Sequence, residues 1–111
     1  MYKLIVYVPE QSVEVVKEAI FKTGAGKIGN YDKCAWQVLG TGQFRALNGA
    51  NPTIGTVNAL ENVPEYRVEI LCLEDNILNA IKAMLSSHPY EEPAYEVVSI
   101  YNYGSLQSRL K

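Results

Sequence analysis

Histidine, cysteine and clustered charge are scarce in this sequence. Its 111 residues hold one histidine and two cysteines. Two cysteines are too few for a disulfide framework in so short a chain. Cys34, in Cys34-Ala35-Trp36, and Cys72, in Leu71-Cys72-Leu73, sit in apolar, strand-like contexts. Both read as buried, reduced thiols of a cytoplasmic protein. There is no H-x-x-x-H or C-x-x-C pair, so no zinc signature is present. There is no G-x-S-x-G, and no histidine lies near Cys34 in sequence, so nucleophilic catalysis has no legible machinery. Ten basic and twelve acidic residues are interspersed, for a net charge of -2. Without a basic stripe, neither nucleic acid nor an anionic membrane surface is an expected partner. The N-terminal apolar run is too short for a transmembrane helix and has no small-residue cleavage site behind it.

What is present is a chain that can fold. Apolar residues make up 48% of it, which predicts a globular state. The length is that of one domain, 1–111, with a single core and little room for a deep private active site.

Periodicity orders the elements. Residues 2–8 predict a strand with apolar side chains on both faces, hence a central one, ended by Pro9. Residues 10–23 predict a helix with Val13, Val16 and Ile20 inward and Gly24 at its end. A glycine loop follows over 24–32. Residues 33–39 predict a strand, Gly40-Thr41-Gly42 a turn, and 43–47 the returning arm of a hairpin. Residues 48–62 predict an irregular crossing. Residues 64–73 predict a long strand, in which Tyr66, Val68, Ile70 and Cys72 alternate with Glu65, Arg67 and Glu69. One of its faces is therefore wet or packs on another subunit. Asp75 is placed to cap a helix with Ile77, Leu78, Ile81, Met84 and Leu85 inward. His88-Pro89 stops that helix, and 94–103 predict the last strand. The order is that of an α+β, ferredoxin-like βαββαβ sandwich with an extra hairpin: an antiparallel sheet with two helices on one face.

Two stretches are candidates for function. Gly24-Ala25-Gly26-Lys27-Ile28-Gly29 matches G-x-G-x-x-G by letter, but it follows a helix and leads into a strand. The dinucleotide fingerprint needs the reverse order, so that reading is rejected. The plain reading is a helix stop and tight loop; the functional one is a nest of backbone N–H groups for an anion. His88-Pro89-Tyr90-Glu91-Glu92-Pro93 holds the only histidine. The plain reading is a connector stiffened by two prolines. The functional reading is a divalent-metal site at His88, Glu91 and Glu92, with Asp32 or Cys34 able to join. Glu91 and Glu92 are adjacent, so in extended chain they point opposite ways and do not form a shared-proton pair. Four of eight tyrosines lie at 90, 95, 101 and 103. Tyrosine-rich surface and open sheet edges together predict a homo-oligomer.

Three segments resemble a known family. They are Gly24 to Asp32, Gly42 to Pro52 (Gly-Gln-Phe-Arg-Ala-Leu-Asn-Gly-Ala-Asn-Pro), and His88 to Tyr95. In this order they are similar to the insert domain of the YbgI/YqfO family of dinuclear-metal proteins. The last segment also resembles CutA proteins, ferredoxin-like trimers related in shape to PII signalling proteins. The resemblance implies a CutA/PII-like fold, a tendency to assemble, with a trimer by analogy, and loop positions for a ligand. In the larger family the metal ligands belong to flanking domains, so it implies no catalytic residue here. The expected ligand-binding residues are Gly26, Gly29, Asn30, Tyr31, Asp32 and Arg45, with His88, Glu91 and Glu92 as the metal alternative. The function that follows is a small cytoplasmic binding or regulatory module, its ligand a small molecule or a divalent metal, more than an enzyme.

Overall fold

The computed structural model describes residues 1–111. Strand β1 (Tyr2–Pro9) is central, as its two apolar faces require. A single 3₁₀ turn, Glu10–Ser12, leads into α1 (Val13–Phe21). Strand β2 (Trp36–Arg45) pairs antiparallel with β3 (Leu60–Cys72). Helix α2 (Ile77–Ser87) and strand β4 (Tyr95–Ser99) follow, and α3 (Tyr103–Arg109) ends the chain. The sheet order is β2-β3-β1-β4, with every pair antiparallel. This is the expected ferredoxin-like order.

The register explains the core. Leu4 pairs with Ile70 and Val6 with Val68, so Leu4, Val6 and Val8 share a face with Val68, Ile70 and Cys72. Val13, Val16 and Ile20 of α1 and Ile77, Ala80 and Met84 of α2 pack on that face as one buried cluster. Both helices therefore lie on one side of the sheet. The i, i+3, i+7 spacing of each apolar stripe accounts for it. Helix α2 stops where expected. His88 takes an extended backbone (φ -72, ψ 135), because the following proline ring crowds the helical conformation.

Four local expectations are corrected. Gly40-Thr41-Gly42 is no turn: β2 runs straight through it, because the thirteen residues of β3 offer a partner at every step. The hairpin is instead the long β2–β3 ribbon, which extends past the last β1 pair, Pro9 with Glu65. Pro64 falls just beyond that pair, where β3 has a neighbour on one side only and a proline is tolerated. The last strand ends at Ser99, and Asn102 caps α3 reciprocally with Ser105: Asn102 Oδ1 accepts from Ser105 N and Asn102 N donates to Ser105 Oγ, both at 2.9 Å. Asp75 caps nothing: Asn76 stands at that position, and its Oδ1 accepts from Leu73 N at 3.0 Å. Cys34 lies in a loop and is only half-buried, while Cys72 is buried; both thiols are free.

The sheet face away from the helices carries Trp36, Val38, Leu71, Ile5 and Val98 around a polar ladder. Lys3 and Arg67 bridge Glu69 at 3.3 and 3.2 Å. Arg67 Nη1 donates to the Tyr7 hydroxyl, which donates to Glu96, each at 3.1 Å. Trp36 is 59% exposed.

Candidate functional site

A cleft of about 250 Å³ opens where the β2–β3 ribbon leaves the sheet. Strand alternation puts Tyr7, Glu65 and Phe44 on the same face. The crossing segment 46–59 and the connector 88–94 close over them and contribute Thr53, Tyr90, Glu91 and Glu92. Two hydrogen bonds fasten these walls together: Thr53 Oγ1 donates to the Pro89 carbonyl at 2.7 Å, and Asn51 N donates to Glu91 Oε2 at 3.0 Å.

The aromatic wall is built by His88. Its Nε2 lies 2.7 Å from the Tyr7 carbonyl, and its Nδ1 accepts from Tyr90 N at 3.1 Å. These partners require the neutral ring with the proton on Nε2. The residue is 7% exposed. Burial lowers its pKa below the ordinary value, with the bond to the Tyr7 carbonyl opposing the shift. His88 thus pins the connector to the end of β1 and turns Tyr90 toward Phe44, whose ring lies 6.1 Å away at 61°.

Glu65 is the charged centre of the cleft. Its carboxylate lies directly over Gly42, and a Cβ at that glycine would collide with it. Its partner is the Tyr90 hydroxyl, in a long hydrogen bond of 3.5 Å. Burial raises the Glu65 pKa, against the opposing effect of that bond. Tyr90 is pushed up to about 12 by burial first and by the adjoining carboxylate second. No lysine or arginine lines the cleft. Arg67, two residues along β3, is engaged by Glu69 and Tyr7.

The expected site residues are not brought together. Glu91 and Glu92 line the cleft, but His88 stands behind its wall with both nitrogens satisfied by backbone. No three His, Cys, Asp or Glu side chains converge within the chain. The expected metal site at His88, Glu91 and Glu92 is therefore not assembled: the ring a metal would need is spent on holding the connector. Arg45 follows Phe44 in β2, so alternation turns it to the other face. Gly26, Gly29, Asn30, Tyr31 and Asp32 lie at the opposite end of the sheet. Gly26 N donates to the Leu71 carbonyl, beside Lys3, whereas His88 binds at Tyr7. Four strand residues, about 13 Å, separate these points. Gly26 has its own structural reason: φ is +82, and a Cβ would press on the Phe21 ring and the Cys34 carbonyl. Asp32 borders a shallow hollow with Glu18, Lys22, Lys27 and Lys33, in which Lys33 already pairs with Glu18 at 3.3 Å. The residues that sequence reasoning missed are Phe44, Glu65, Tyr90 and Gly42. The signal was there: a glycine inside a strand pattern marks a close approach.

The comparisons with known proteins agree with this architecture. No family model matches the chain. A GTP cyclohydrolase 1 type 2 homolog of Mycobacterium bovis is 45% identical over 98 residues, 88% of this chain and 26% of that protein. A Bacillus cereus protein related to NIF3 superposes with a TM-score of 0.78 at 39% identity, covering 91% of this chain and 26% of the other. The chain resembles one segment of the NIF3-related YbgI/YqfO proteins. It spans about a quarter of the length of the relatives it matches. CutA from Xylella fastidiosa superposes with a TM-score of 0.67 at 17% identity, covering 96% of this chain and 90% of that one, so the fold is CutA-like.

Proposed function

We propose that the protein is a small cytoplasmic, homo-oligomeric binding or regulatory module whose ligand site is the cleft between Phe44, Tyr90 and Glu65. The observation that carries this reading is the carboxylate of Glu65, set over a glycine in a cleft with aromatic walls and given no cationic partner. A half-buried, unpaired charge costs stability, and a cleft of convergent apolar and polar groups is the usual form of a small-molecule site. Assembly is supported by the apolar residues on the helix-free face of the sheet, Trp36 and Val38 among them. No helix is long and apolar enough to cross a membrane.

Ligand-observed NMR against a set of small aromatic fragments tests the site. Binders whose signals are lost with Tyr90→Ala support it. Binding that survives that substitution places the site elsewhere.

A further inference from the structure

We infer that the cleft takes a small organic cation: an amidinium, guanidinium or protonated amine carried on a flat apolar body. This rests on the reading of the cleft as a ligand site and names the ligand's chemistry.

Charge comes first. Glu65, Glu91 and Glu92 line the cleft, and no basic side chain does. Glu91 is partly neutralised by the backbone N–H of Asn51 at 3.0 Å. Glu65 has only the Tyr90 hydroxyl, at 3.5 Å. The nearest cation along β3, Arg67, donates to Glu69 at 3.2 Å and to Tyr7 at 3.1 Å, away from Glu65. An anionic ligand would meet three carboxylates without a counter-charge. A cation would supply the partner Glu65 lacks, and a planar one with paired N–H groups can meet a carboxylate in two parallel hydrogen bonds.

Shape comes second. Phe44 and Tyr90 stand 6.1 Å apart, inclined at 61°, and an aromatic ring face bordering the cleft attracts a flat cation. Ala46, Ala50 and Pro52 complete an apolar lining. At about 250 Å³ the cleft lies just under the usual range for ligand pockets, roughly 300–1,000 Å³, which suits one ring and one charged head. Gly42 keeps the Glu65 carboxylate at the floor; any side chain there would push it aside.

Three probes of nearly equal shape test the inference: benzamidine, benzamide and benzoate. Each is titrated into the ¹⁵N-labelled full chain and followed by amide shifts. The expected result is saturable benzamidine binding, with shifts centred on Phe44, Thr53 and Tyr90, at least tenfold tighter than benzoate. Glu65→Gln, which keeps size and fold, is expected to weaken benzamidine about tenfold and leave benzamide unchanged. Equal or tighter benzoate binding, or benzamidine affinity indifferent to Glu65→Gln, overturns the inference while leaving the cleft a ligand site. Failure of all three probes to shift the cleft amides overturns both.

Discussion

His88 sets the terms at the scale of a residue. Its two nitrogens are both used, one by the Tyr7 carbonyl and one by Tyr90 N. His88→Ala leaves a buried carbonyl without its donor and frees the connector, so it is expected to cost about 2–3 kcal/mol by urea denaturation. Protonation would place a second N–H against the Tyr90 N–H. The folded pKa lies below the unfolded one, because burial disfavours the cation. The neutral ring's contribution is therefore whole above the unfolded value, near 6.5, and is lost as pH falls from there through the lower folded value. Urea midpoints from pH 8 to pH 5 read this directly, and His88→Ala is expected to remove that portion of the slope. Glu65 has the opposite sign: its folded pKa is raised, so its ionised form weakens the fold at neutral pH. Glu65→Gln is expected to leave stability at pH 7 equal or slightly higher, with no slope left from that group. Gly42→Ala sits on ordinary strand backbone and displaces only a flexible carboxylate. Its stability is expected within about 1 kcal/mol of the parent, with benzamidine binding lost.

At the scale of elements, the core helices and the last helix differ in kind. Met84 is fully buried between α2 and the sheet, so Met84→Ala is expected to cost about 2–5 kcal/mol. Helix α3 buries none of its residues. Removing residues 103–111 is expected to change unfolding stability by less than about 1 kcal/mol, read by thermal denaturation. The elements that bury a periodic stripe were legible from sequence: β1 from its two apolar faces, α1 from Val13, Val16 and Ile20, α2 from Ile77 and Met84. Those fixed by pairing or capping were not. Gly40 and Gly42 carry turn chemistry, but β3 holds them in line. Tyr101 and Tyr103 carry strand composition, but the Asn102 and Ser105 cap turns the chain into a helix. The site was half legible for the same reason. The connector at 88–93 was visible as an unusual string, yet His88 serves as a latch. Glu65 and Phe44 acquire their roles from a cross-strand register, of which Gly42 is the one local sign in the sequence.

The whole molecule is 53 Å long and 26 by 23 Å across, because the β2–β3 ribbon carries the cleft out beyond the sheet. The sheet itself has helices on one face and an apolar surface crossed by ion pairs on the other. Lys3, Glu69, Arg67, Tyr7 and Glu96 satisfy one another there, so a partner covering this face would bury few unpaired charges. Trp36→Glu places an unpaired charge on the same surface. It is expected to reduce the proposed assembly to single chains without unfolding them, as read by light scattering and circular dichroism.

The most direct test is native mass spectrometry of the full chain, purified without chelator. The expected result is a multiple of 12.4 kDa with no stoichiometric metal increment. A lone 12.4 kDa species at micromolar concentration, or a divalent ion bound one per chain and removed by EDTA, would contradict it.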